Sequence, residues 1–376
     1  MMQELLELAR ELADKELRPA VDAAEREERF PREAFRLLGA SGLLGLPYPE
    51  RWGGGGQPYE VYLQVVEELA RAWLTVGLGL SVHTLACFPL AAVGTDEQRD
   101  RWLPGMLGGD LLGAYCLSEP HSGSDAGAMT VRAAAAEGGY RIDGVKAWIS
   151  HAGRADFYTV FARTSGEAAG KDRARGISCL HVPAVTGGVK AAPAEHKMGM
   201  RGSVTAQMIF EGAHVPAGHL VGEEGGGFSI ALAALDSGRL GIAACATGLA
   251  QAALDTAVSY ARVRRQFGKP IVDFEGVSFM LADMATAVEA ARALYRAAAR
   301  RRDAGQQFGP QAAMAKLFAS DAAMRVTTDA VQVLGGYGYV EDFPAERYLR
   351  EAKVLQIVEG TNQIQRLVIA RALRRG

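Results

Sequence analysis

"GGYRIDGVKAWISHAG", residues 138–153, is the stretch on which the fold turns. It is rich in β-branched and aromatic residues and punctuated by glycine, whereas the chain on either side has helical spacing. "GGYRIDG" reads as two tight turns around a short strand. "KAWISHAG" reads as a strand end carrying Trp148, Ser150 and His151. "FYTVFAR" (157–163), "ISCLHVP" (177–183) and "TAQMIFEGAHVP" (205–216) share the texture. A small antiparallel β-domain, barrel-like or sandwich, is therefore predicted over about 111–222.

Upstream, over 1–110, apolar residues recur at helical spacing, as in Leu5, Leu8 and Leu12 and in Tyr62, Val65, Val66 and Leu69. Pro31 can open one helix, and the glycines at 53–56 separate others. Downstream, over 223–376, long Ala- and Leu-rich segments at roughly 227–263, 273–304, 310–334 and 344–373 predict an antiparallel four-helix bundle. The fold class is multi-domain α+β, in the order helical domain, β-domain, bundle. Helices so rich in alanine and so apolar are also expected to bury a face against other subunits.

A formal net charge of -2 gives no electrostatic case for nucleic acid or an anionic membrane. The N-terminus lacks a signal-peptide pattern, and no apolar run reads as long enough to span a bilayer. Cys87, Cys116, Cys179 and Cys245 are far apart and form no metal or disulfide pattern, which suits a reducing cytoplasm. The basic clusters Arg262, Arg264, Arg265 and Arg300–Arg302 read as solvated helix faces, with Arg264 as the exception argued below.

Several motifs could carry chemistry, and each has a plainer reading. "CLSEPHSGSDAG" (116–127) is a loop of small hydroxyls and backbone N–H groups that could approach a polar ring or phosphate, or be a self-satisfied polar turn. Trp148 and Ser150 could meet an aromatic cofactor, or be a core tryptophan with a turn behind it. "RRQFGKP" (264–270) offers Arg264 to a pyrophosphate and Phe267 to an adenine, or is a charged interhelix turn. Gly335, Gly336 and Gly338 could admit a phosphate or simply end a helix. In "QIVEGTNQIQRLVIA" (356–370), Glu359 stands among Leu355, Ile357 and Val358 at a helix break, with Asn362 and Gln365 available to cap the next helix.

Taken in order, "LSEP..GSD", "KAWIS", "HKMGMRGS", "LDSGRLGIAACATG", "YARVRRQFGKP", "LADM", "VQVLGGYGY" and "VEGTNQIQR" resemble the acyl-CoA dehydrogenase family nearly end to end, with the short-chain branch closest in texture. The resemblance implies FAD as cofactor and oxidation of an acyl-CoA to the trans-2-enoyl-CoA. It also implies an electron-transfer flavoprotein as acceptor and a homotetramer built as a dimer of dimers. By resemblance, Tyr115, Leu117, Ser118, Ser124, Trp148, Ile149 and Ser150 line the flavin. Arg264, Phe267, Gln332, Val333, Gly335 and Gly336 hold the pyrophosphate and adenosine end of an FAD bound mainly by a neighbouring subunit, and Thr361 and Gln363 also touch FAD. Ser124, Asp236, Arg239 and Gly360 match substrate-contacting positions, and Glu359 matches the base that takes the α-proton while the β-hydride passes to flavin N5.

A carboxylate that attacks so weak a carbon acid needs a raised pKa and a stabilised thioester oxygen. An apolar wall of Leu355, Ile357 and Val358 would supply the first, against the pull of the helix N-terminus that follows. The family supplies the second with the base's own N–H and a ribityl hydroxyl. Glycine at 238 cannot serve as the base that one branch keeps there, which disfavours that arrangement, and no arginine lies between Trp73 and His83 to hold a distal carboxylate. His151 and Glu275 depart from the usual Asn and Gln. Rival readings are an acyl-CoA oxidase or flavin monooxygenase on the same fold, and a non-catalytic CoA- or FAD-binding scaffold. The Glu-Gly-Thr break and Arg239 favour the dehydrogenase, and the presence of Glu359 counts against the scaffold.

Overall fold

A computed structural model describes residues 2–165 and 173–374. Six α-helices come first: α1 (Met2–Leu12), α2 (Val21–Arg26), α3 (Arg32–Ala40), α4 (Tyr59–Ala72), α5 (Leu74–Val93) and α6 (Asp96–Leu107). Pro31 stands at the N-cap of α3. Thr95 caps α6 in a reciprocal box with Gln98, whose amide also donates to the carbonyls of Gly218 and Leu220 at 2.8 and 2.7 Å. One side chain thereby starts a helix and ties it to the β-layer.

The middle layer is an eight-stranded sheet of β1 (Gly113–Cys116), β2 (Arg132–Ala136), β3 (Gly139–Ser150), β4 (Phe157–Arg163), β5 (Ile177–Pro183), β6 (Val189–Ala191), β7 (Thr205–Pro216) and β8 (Leu220–Val221). Its order is β6-β7-β3-β2-β4-β5-β8, with β1 on β4. The sheet is mixed rather than antiparallel, because β1 runs parallel to β4 and β2 touches β4 in parallel at Arg132–Arg163. Asp156 explains the first pairing. Its carboxylate accepts from the Leu112 N–H (2.7 Å) and Arg32 (2.6 Å), and its N–H donates to Leu112 O (2.7 Å), so both strands start level and run the same way.

Residues 138–153 also differ from expectation. Gly138 (φ +72°) makes the β2–β3 turn, but Asp143–Gly144 makes no second turn. The strand continues through a bulge at Gly144 (φ +134°) opposite β7, where Asp143 accepts from the Gly212 N–H at 2.7 Å. The outcome is one long strand that carries Trp148 and Ser150 to its far end.

The C-terminal helices are α7 (Gly227–Val263), α8 (Glu275–Asp303), α9 (Gly309–Leu334), α10 (Ala345–Leu355) and α11 (Asn362–Leu373), with a small hairpin of β9 (Arg265–Gln266) and β10 (Lys269–Pro270) after α7. α7 is the spine, and its small residues let neighbours approach closely. A Cβ at Gly248 would lie 2.3 Å from the Glu67 carbonyl of α4, and one at Gly241 would lie 2.1 Å from Ser81 Oγ of α5. One apolar core therefore runs through both helical regions, and a second fills the sheet. Contrary to the sequence reading, α5 and α7 are long and apolar enough in length and composition to cross a membrane, yet both are mostly buried inside the protein.

The loop after β1 is fastened by a fully buried ion pair. Lys146 Nζ on β3 donates to Glu119 (2.8 Å) and to the Leu117 carbonyl (2.9 Å), while Glu119 also accepts from the N–H groups of Thr130 and Val131. Lys146→Met strands that carboxylate, so we expect a loss of about 3–5 kcal/mol, measured as a lower denaturation midpoint together with weaker retention of cofactor.

Candidate active site

After α10 the chain turns through Ile357 and Val358, whose N–H groups both donate to Val354 O. Glu359 (φ +51°) and Gly360 (φ +91°) then take successive left-handed conformations. For a glutamate this is a strained position held by its surroundings. The cap of α11 is Thr361, whose hydroxyl accepts from the Ile364 N–H, and not the expected Asn362. Asn362 lies one position too late and turns inward to Lys316, Ser320 and Asp321. Gln365 donates to the carbonyls of Gly360 (2.7 Å) and Glu359 (3.3 Å) instead of capping.

Both carboxylate oxygens of Glu359 are buried and have no hydrogen-bond partner among the described residues. Burial raises its pKa to about 7, opposed by the positive charges of Lys316 and Arg239. The enclosing wall differs from the predicted one: Leu355 is in the core, but Ile357 is exposed. The carboxylate instead rests on α7 and α5. A Cβ at Gly238 would lie 2.0 Å from its Oε2 and 3.2 Å from Leu85. Position 238 thus cannot hold any larger residue while the carboxylate stays where it is.

Next to it on α7, Arg239 is buried and ion-paired with Asp236, whose own pKa burial raises and Arg239 lowers. On the other side, Tyr115 of β1 donates to the Ala231 carbonyl of α7 at 3.2 Å, bringing the β-domain residues against the same helix. Trp148 is held outward at φ +60° with 66% of its surface exposed, so it is no core tryptophan. Ser118 and Ser150 are half-buried and Ser124 is exposed, and their hydroxyls make no hydrogen bond among the described residues. An uncovered indole, with free hydroxyls on the same strand end and on the loop after β1, fits the flavin that the resemblance implies. Leu117 and Ile149 offer only backbone there, since both side chains are packed in cores. Within the same loop, Ser122 is buried and spends its hydroxyl on Asp125 O.

Arg264, Phe267, Gln332, Gly335 and Gly336 form a separate exposed cluster at the other end of α7, with Arg264 over the Tyr337 ring at 5.8 Å; Val333 points into the core. Arg239 and Arg264 are about 25 residues apart along one helix, roughly 37 Å at 1.5 Å per residue. Thr361 is half-buried beside Gly360, and Gln363 is exposed in the first turn of α11. His151 is buried, its Nδ1 2.9 Å from Gly113 O, and Glu275 opens α8 on the surface.

Sequence reasoning missed three residues. Lys316, a lone charge in "AAMAKLFAS", is fully buried and donates to Gly360 O (3.0 Å) and Asn362 Oδ1 (2.9 Å). The signal that singled out Glu359, one charge in an apolar run, would have found it. Lys146 carried the same signal. Arg302, read as part of a solvated face, instead lies 3.8 Å over the Tyr59 ring and donates to Ser237 Oγ.

Three family models match the chain: the acyl-CoA dehydrogenase N-terminal domain over residues 2–110, the middle domain over 114–213 and the C-terminal domain over 225–374. An acyl-CoA dehydrogenase of Bacillus subtilis (strain 168) is 46% identical over 98% of this chain and 97% of its own length. Among solved structures, butyryl-CoA dehydrogenase from Megasphaera elsdenii superposes with a TM-score of 0.96 at 40% identity, covering 100% of this chain and 98% of the other. A chain from a structure described as the electron transferring flavoprotein of Acidaminococcus fermentans gives 0.97 at 42% identity over 100% and 98%.

Because the glutamate lies against Gly238, Gly238→Ala is expected to leave fold and cofactor content intact while pushing the carboxylate aside. A displacement of an ångström costs about 10²-fold in rate, to be read as slower flavin bleaching in anaerobic stopped flow.

Proposed function

The chain belongs to the acyl-CoA dehydrogenase family and is an FAD-dependent oxidoreductase, and we propose that it desaturates short to medium straight-chain acyl-CoA thioesters with Glu359 as base. The observation that carries this reading is the buried carboxylate, whose lone pairs meet no donor among the described residues. Its raised pKa brings it closer to the weak acid it must deprotonate. The Glu359 N–H makes no hydrogen bond among the described residues and is free to donate to a thioester oxygen, where negative charge grows as the α-proton leaves. FAD, when bound, supplies the two-electron acceptor for the β-hydrogen. Trp148, Ser150, Ser118, Ser124 and Tyr115 would hold its ring system, and Asp236, Arg239 and Gly360 would meet the substrate.

The cleft beside Gly238 supports the chain-length reading. It is narrow and lined by Tyr48, Tyr59, Leu85, Phe88 and Arg302. Its aromatic walls and the Arg302 guanidinium favour a short acyl group, in keeping with the similarity to a butyryl-CoA dehydrogenase. The Arg264 cluster lies roughly 37 Å along α7 from Arg239, well away from the proposed substrate contacts. This supports an oligomer in which a neighbouring subunit completes each FAD site, and a homotetramer built as a dimer of dimers is the proposed form. An electron-transfer flavoprotein is the proposed acceptor, fatty-acid β-oxidation the proposed context, and the cytoplasm the proposed compartment. The free, buried state of all four cysteines is compatible with that compartment.

Three results test the reading. Glu359→Gln should retain FAD and acyl-CoA binding but lose anaerobic flavin bleaching by at least about 10³-fold, as removal of an essential base requires; retained bleaching would show another base. In the native enzyme Glu359 must be ionised to accept a proton, so kcat/KM should fall as pH drops through about 7. A scan of straight-chain acyl-CoA lengths with an artificial acceptor should peak at short to medium chains. A maximum at very long or aromatic acyl groups would refute the assignment, and re-oxidation by air as fast as by the acceptor would identify an oxidase.

A further inference from the structure

Lys316 plays no part in the chemistry above, yet it is fully buried and aimed at the base-carrying break. Burying an ammonium is costly unless its donors are satisfied and its charge answered. Two of its donors go to Gly360 O and Asn362 Oδ1, in and just after the left-handed Glu359–Gly360 step. Its charge is answered by Glu359 and Asp321. The ammonium grips the carbonyl of the residue after the base and makes no hydrogen bond to the base itself.

We propose that Lys316 is the positioning residue of the base: it fixes the Glu359–Gly360 step so that the carboxylate lies on Gly238, and its charge keeps that carboxylate ionisable without occupying the lone pairs that take the α-proton. A direct salt bridge would stabilise the anion but block it. A lysine held one residue away gives the field without the hydrogen bond.

The other groups facing Glu359 do not substitute for this charge. From α7 come Arg239, already engaged by Asp236, and Cys245. From α4 come Tyr59 and Tyr62, and from β1 Tyr115, all neutral because burial raises their pKa values. Lys316 opposes the burial of Glu359 more strongly than Arg239 does. Burial brings the lysine's own pKa down to about 8, with Glu359 and Asp321 opposing, so the field weakens above that pH.

The inference rests on Glu359 being the base, and Glu359→Gln tests that separately. The experiment uses the FAD-loaded enzyme, with anaerobic bleaching by butyryl-CoA followed from pH 5.5 to 9.5. Lys316→Gln keeps a donor for Gly360 O but loses the charge. It should move the midpoint of the pH profile upward by about one unit, a change of about tenfold in the ionisation constant, with little loss in the plateau rate. Lys316→Arg keeps the charge in a poorer fit. It should leave the midpoint in place and lower the plateau. Lys316→Met loses both functions and should show both changes, together with faster amide hydrogen exchange over residues 359–362. An unmoved midpoint in Lys316→Gln overturns the electrostatic role. Unchanged exchange and plateau rate in Lys316→Met overturn the positioning role. Should the methionine variant fail to bind FAD, the glutamine–arginine pair still decides.

Discussion

The centre of this molecule is organised around a carboxylate pressed against a glycine. Glu359 rests against α5 and α7, with no donor to satisfy it among the described residues and no room at position 238 for even a methyl group. In water a carboxylate gains heavily from hydrogen bonds, so this arrangement is unfavourable in isolation. It persists because the helices around it are already packed as closely as backbones allow. Gly248 brings α7 against α4, Gly241 brings it against α5, and Gly238 leaves the remaining gap. The Ala- and Gly-rich character of α7 is thus the condition under which a charged group can be buried there with its lone pairs free.

The two loops that build the site are fixed by the same device. Lys146 and Lys316 are each fully buried, and each donates to one main-chain carbonyl and one side chain of a functional loop: Leu117 and Glu119 in one case, Gly360 and Asn362 in the other. Loops carry unsatisfied backbone groups wherever they leave regular structure, and a buried ammonium satisfies a carbonyl while adding a charge. The difference between the two lies in that charge. At Lys146 it is neutralised by contact with Glu119, which suits a rigid cradle for a planar cofactor. At Lys316 it is left to act through space on Glu359, which suits a group that must change protonation state.

Much of this was legible in the sequence. The switch from helical to strand texture near residue 111 and back near 223 indicated the layer order, because hydrophobic period depends on local geometry alone. Glu359 stood out as a lone charge at a helix break. What stayed hidden depends on long-range contact. Asp143-Gly144 has turn chemistry, but pairing with β7 absorbs it as a bulge. The parallel start of β1 is set by Asp156 reaching back to Leu112, which no local pattern records. Asn362 has capping chemistry, but Lys316 on another helix claims it. The wall around the base was sought among its sequence neighbours and is supplied instead by residues more than a hundred positions upstream.

That enclosure binds activity and stability in opposition. A carboxyl group whose pKa is higher folded than unfolded favours the native state while protonated, fully below its ordinary value of 4.5, and loses that contribution as pH rises through the folded value. For Glu359 the loss runs from about 4.5 to about 7, the interval in which the base becomes competent. Glu351, buried near Glu25 with Arg347 and Arg350 opposing, is raised to about 8 and adds a loss of the same sign that extends to higher pH. Each step toward a fully ionised base is therefore a step toward a less stable fold. The positive charge of Lys316, by limiting how far the Glu359 pKa climbs, lessens that cost while leaving the base basic enough to work.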